Sequence, residues 1–201
     1  MQFPRRFPDW QFPFVIALVC LLAATWGDAA REVLQYDRLA IGGGEIWRLL
    51  TGHFVHLGYR HLALNLAGLA LVWLIVGRSY AARRWLLAII VMIAVIDAGF
   101  WYLDAELRWY VGLSGLLHGM LVAGALTGIR SVPAESIAIC AAVAAKLAWE
   151  QFTGPLPGSE VAAGGAVIIE AHLYGAVGGA LAAGILYIMP TDFAQPDREH
   201  A

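Results

Sequence analysis

Apolar residues fall into six runs separated by short polar stretches: Phe12–Trp26, Leu57–Val76, Trp85–Leu103, Val111–Ile129, Ser136–Trp149 and Val167–Met189. A bilayer crossing needs roughly 20 consecutive apolar residues. The pattern predicts an all-α membrane protein, a bundle of six transmembrane helices, although the first and fifth runs are short and their ends poorly defined. One membrane domain, residues 1–189, is expected, followed by a polar, disordered tail, residues 190–201. The one sizeable connection is Gly27–His56, whose WRLLTGHF segment is amphipathic and expected at the membrane interface. Shorter connections run over Asp104–Tyr110 and the Gly/Pro-rich Thr153–Gly165. Trp101, Tyr102, Trp109 and Tyr110 read as an interfacial aromatic belt.

Composition agrees with a membrane protein. Of 201 residues, 60% are apolar and 14% charged, against about 25% charged in soluble domains, and the mean hydropathy is +0.68. A net charge of −2 argues against nucleic acid as a partner. Cys20 and Cys140 both fall inside apolar runs, so no disulfide framework is implied. Arg5 and Arg6 precede the first run, but no small-x-small cleavage site follows cleanly, so the run is read as a retained span.

Arginine placement sets the orientation. Arg5 and Arg6, Arg78, Arg83 and Arg84, Arg130, and Arg198 fall on one side if six spans is right, which makes that side and both termini cytoplasmic. Arg31, Arg38, Arg48 and Arg108 fall on the other, with Arg60 near an interface, so the bias is modest. Even-numbered spans then run from outside to inside. His61 and Asn65 open the second span, Ser114 opens the fourth, and His172 lies near the start of the sixth. All four polar groups share one outer depth, which predicts a water-accessible pocket sunk into the outer leaflet.

The chemistry these groups can carry is peptide hydrolysis. Hydrolysis needs an activated oxygen, a base and donors for the oxyanion. Ser114 lies in Gly112-Leu113-Ser114-Gly115, where glycines allow a tight turn and a helix N-terminus leaves free N–H groups. A lone serine in a span is more often a small packing residue; His172 at matched depth changes that reading. An ionisable residue inside a span is a functional candidate, and a neutral imidazole can take the serine proton. Gly175 and Gly179 follow His172 on the same helical face and permit close helix approach. No acid completes a triad convincingly: Glu170, two residues away, faces elsewhere, and a dyad is the simpler reading. His61 and Asn65, at i and i+4, share a face and can both donate to an oxyanion. Lys146 and Glu150, also i and i+4, read first as an internal ion pair that lowers the cost of burial. Asp97 has no evident role. Metal binding by His53, His56 and His61 is the competing reading. His-Glu-x-x-His is absent and no carboxylate sits at ligand spacing, so neither metal nor cofactor is expected.

Together these motifs resemble the rhomboid intramembrane serine proteases. Glu45-x-Trp47-Arg48 matches a first-loop signature, His56-x4-His61-x3-Asn65 the second span, Gly112-x-Ser114-Gly115 the nucleophile and His172-x2-Gly175-x3-Gly179 the sixth span. The resemblance covers Glu45 to Gly179, in order. It implies a six-helix rhomboid-like bundle, a Ser114–His172 dyad, and oxyanion donors from His61, Asn65 and the Ser114 backbone N–H. His56 becomes a structural residue of the junction between loop and second span. Rhomboids usually carry an aromatic residue four positions after the serine, stacked on the base; here that position is His118, which could orient His172 or contact substrate. The GLSGLLHG form, the minimal size and Lys146-x3-Glu150-Gln151 are similar to the rhombosortase subfamily. That likeness implies removal of C-terminal Gly-Gly-type sorting anchors from exported proteins at a bacterial inner membrane, the site opening to the periplasm. A general rhomboid acting on other single-span proteins, and a non-catalytic binder of membrane spans, are the alternatives.

Overall fold

The computed structural model describes residues 9–190. Arg5, Arg6, Arg198 and all of the predicted tail except Pro190 lie outside the described residues. In chain order the helices are α1 (Gln11–Thr25), α2 (Gly27–Leu34), α3 (Arg38–Gly42), α4 (Arg48–Thr51), α5 (Tyr59–Val76), α6 (Ala82–Tyr102), α7 (Ser114–Gly128), α8 (Pro133–Thr153), α9 (Ser159–Ala163) and α10 (Ile169–Ile188). Each of the six apolar runs forms one long helix: α1, α5, α6, α7, α8 or α10. Three of them, α5 with the turn that extends it to Ser79, α6 and α10, are individually long and apolar enough to cross a membrane. The others fall short for separate reasons. With 15 residues, α7 reaches only about 22 Å at 1.5 Å per residue, against a hydrocarbon core of about 30 Å. At 21 residues α8 is long enough, but it is not apolar enough, with Lys146, Glu150 and Gln151 near its end. Joined to α2, α1 passes, but the pair bends by 111° at Trp26.

Local sequence explains the breaks. The α1–α2 corner needs Gly27, whose φ is +54°. Pro133 occupies the first turn of α8, where its missing N–H costs no hydrogen bond. The loop Gly27–His56 is more ordered than its length predicts. Arg48 turns inward and ties it together, bonding the Glu45 carboxylate at 2.7 Å and the carbonyls of Glu32 and Gln35 at 2.9 and 3.0 Å. Its neighbours Ile46, Trp47 and Leu50 face outward, the amphipathic split of the WRLLTGHF segment.

Near the centre of the bundle, α7 packs against α10, α8, α5 and α6, and α10 is held between α7 and α6. Trp73, Trp85, Met92, Ile96, Phe100, Leu116 and Met120 fill the core. Cys20 and Cys140 are both free. Glycine decides the α7–α10 contact. A Cβ at Gly115 would come within 2.8 Å of the Ala171 carbonyl oxygen, and one at Gly119 within 2.5 Å of the Gly175 oxygen. Side chains at Gly175 and Gly179 would collide with the Gly115 and Gly119 carbonyls. The two helices therefore meet backbone to backbone, as small-residue stripes allow in membranes. Gly179→Val is expected to cost at least ~1–3 kcal/mol, the usual range for overpacking, because rigid backbone cannot yield. A thermal melt in detergent checks this, and an unchanged melting temperature would overturn it.

Candidate active site

The approach to Ser114 is fixed from several directions. Gly112 has φ +125°, a conformation glycine adopts without strain. A Cβ there would also lie 2.8 Å from His61 Cε1, so both backbone and space demand glycine. Its N–H donates to the Gly52 carbonyl at 3.1 Å, and the Tyr110 hydroxyl donates to its carbonyl at 2.5 Å. One residue pair upstream, β1 (Tyr36–Asp37) and β2 (Trp109–Tyr110) form a short antiparallel ladder, with Tyr36 opposite Tyr110. The first loop and the turn before Ser114 are thus one hydrogen-bonded unit.

Ser114 opens α7 and His172 lies in the first turn of α10, and the glycine contact brings the two helix starts together. Ser114 Oγ stands 3.0 Å from His172 Nε2. The other ring nitrogen, Nδ1, is 2.9 and 3.1 Å from the two carboxylate oxygens of Glu150. A carboxylate can only accept, so Nδ1 carries the proton and Nε2 is left free to accept from the serine hydroxyl. Lys146 Nζ donates to Glu150 Oε1 at 2.6 Å. Its 3.3 Å approach to His172 Nδ1 is the meeting of two donors that serve one carboxylate. Glu150 therefore contacts both Lys146 on its own helix and His172 on α10.

His118 stacks on His172, with ring centroids 4.3 Å apart and planes 25° from parallel. It occupies the place expected of an aromatic ring. Its Nδ1 lies 2.7 Å from the Ser114 carbonyl oxygen; the oxygen accepts, so Nδ1 bears a hydrogen.

His61 and Asn65 line the same turn from α5. The Leu57 N–H donates to His61 Nδ1 at 3.3 Å, which places the ring hydrogen on Nε2, the atom that faces Gly112. Asn65 is buried and spends one amide hydrogen on the His61 carbonyl at 3.0 Å; the other has no acceptor among the described residues. His61 Nε2 and the Asn65 amide thus both lie close to Gly112, two residues before Ser114. His56 stands edge-on to His61, centroids 5.1 Å apart. Burial, with His61 beside it, pushes its pKa down to about 3, so the ring is neutral at neutral pH.

Three features lie beyond what the sequence discloses: the Glu150 contact, a second buried acid–histidine pair, and the burial of Tyr110. Asp97, without an evident role from its position in the chain, bonds His53 Nε2 at 3.3 Å in the interior. His53 packs edge-on against Tyr110 at 5.4 Å, so the pair ties the first loop to the turn before Ser114. Tyr110 is corrected from belt to core: it is 1% exposed, and burial raises its hydroxyl pKa far above the usual range. Of the four belt residues, Tyr102 and Trp109 are exposed and Trp101 is half-buried. Among the described residues no group of three or more His, Cys, Asp or Glu is placed to hold a metal ion.

The profile of the Rhomboid domain family matches residues 43–189. The chain belongs to the rhomboid family, whose members are generally intramembrane serine proteases acting on membrane-protein substrates. No curated protein matches the chain.

Proposed function

We propose that this chain is an intramembrane serine endopeptidase of rhombosortase-like specificity, with Ser114 as nucleophile and His172 as base. The observation that carries the reading is the 3.0 Å approach of Ser114 Oγ to His172 Nε2 at the glycine-built junction of α7 and α10. As Oγ attacks the scissile carbonyl carbon, its proton passes to Nε2. The carbonyl oxygen becomes an oxyanion held by His61 Nε2–H, the Asn65 amide and the Ser114 backbone N–H. Nε2 then gives its proton to the leaving amine as the C–N bond breaks, and water hydrolyses the acyl-serine by the same route in reverse. His118 keeps the imidazole in plane. The chain crosses a bacterial inner membrane six times with both termini cytoplasmic, and α7 is short because its mouth opens within the outer leaflet.

The substrates are exported proteins anchored by a C-terminal span that begins with Gly-Gly. A peptide bond inside a regular helix is shielded by its own hydrogen bonds. Glycine, about 1 kcal/mol poorer than alanine in a helix, lowers the cost of unwinding at the cut. Co-expression with such a tail and mass spectrometry of the released C-terminus test this. Cleavage is expected at the outer membrane boundary, slowed strongly when both glycines become leucine. Indifference to the glycines, or a cut in the cytoplasmic half, would leave a general rhomboid protease of another specificity.

A further inference from the structure

Resting on that reading, we propose that Glu150 is a positioning residue: it holds His172 by Nδ1–H and, steadied by Lys146, extends the Ser114–His172 pair into a Ser–His–Glu relay. The rival account is a plain ion pair within α8, since Lys146 and Glu150 are one turn apart. Geometry separates the two. The Lys146 side chain is 29% exposed and the Glu150 side chain 3%. An ion pair alone gains most at the wet end, where the desolvation cost is least. This carboxylate instead turns inward, and the nearest partner of its Oε2 is the imidazole nitrogen at 2.9 Å. That nitrogen lies on another helix, 22 residues further along the chain.

The chemistry follows from the donor inventory. A neutral imidazole has one N–H, and only the tautomer with hydrogen on Nδ1 leaves Nε2 able to accept the serine proton. A carboxylate at Nδ1 selects that tautomer and stabilises the imidazolium that forms when the serine proton arrives. No proton moves to Glu150. The Nδ1–H bond stays intact throughout, and the ammonium of Lys146 offsets the cost of keeping a carboxylate in the bundle.

The test compares steady-state cleavage by full-length protein in liposomes. Glu150→Gln keeps size and shape, but its amide can donate to Nδ1 and hold the wrong tautomer. Turnover should fall by about 10²–10⁴, the scale of losing the acid behind a catalytic histidine, with KM within about twofold because Glu150 acts through His172 and not on the bound substrate. Glu150→Asp keeps the charge and should recover part of the rate. Glu150→Gln with Lys146→Gln removes both charges and relieves any unpaired ammonium. It should melt near wild type and stay as slow as Glu150→Gln. Wild-type turnover in Glu150→Gln, or recovered turnover in the neutral pair, would overturn the proposal and leave a structural ion pair. Ser114→Ala and His172→Ala are assayed alongside. Cleavage by those two would sink the protease reading itself, whereas their silence with an active Glu150→Gln would sink only the relay.

Discussion

Alanine at His172 is expected to silence cleavage as completely as alanine at Ser114, and the two changes together to cost no more than either alone. The serine hydroxyl is a poor nucleophile until its proton has somewhere to go, and Nε2 at 3.0 Å is the acceptor in reach. Groups that act as one unit are strongly non-additive, and a hydrolytic serine or its histidine is worth up to about 10⁶ in turnover. Release of a reporter from a membrane-anchored tail measures this, with melting curves to show that each variant is folded. Cleavage at the wild-type rate in Ser114→Ala would end the serine-protease reading. Multiplying losses would show two groups working apart.

Asn65→Ala should lower turnover by about 10²–10³, the loss usual for one side-chain oxyanion donor, while leaving substrate binding nearly unchanged. The amide is buried, one hydrogen is spent inside α5, and the other is the one that can meet a developing charge. His61→Ala should cost less if the two share the task. The informative comparison is turnover against KM for both variants. Wild-type turnover in both would remove α5 from the oxyanion site.

Much of this arrangement is legible in the amino-acid sequence, because helices have a fixed rise and face. His61 with Asn65, and Gly175 with Gly179, are spaced to share a face, and equal depth puts Ser114 and His172 on one level. Glycine flanking the serine signals close packing, and α7 meets α10 along Gly115 and Gly119. Contacts between helices far apart in the chain are not legible in this way. Glu150 meets His172 across 22 residues and His53 meets Asp97 across 44. Spacing within one helix says nothing of which neighbour that helix will face. Tyr110 misleads for a related reason: an aromatic after Trp109 at a span boundary resembles a belt, and only the ladder with Tyr36 turns it inward. Crossing number is the other weak point, since hydropathy sees the charges of α8 but not the partners that satisfy them.

The backbone contact between α7 and α10 also has a genetic meaning. Where two helices meet through side chains, a damaging substitution can be rescued by a smaller residue opposite, and suppressor mutations accumulate there. At Gly175 and Gly179 the atoms opposite are the carbonyls of Gly115 and Gly119, which have no side chain to trim. A selection for restored function should therefore return true revertants at these positions and no second-site partners in the facing helix. Along this seam the lineage can drift only where the glycines are not.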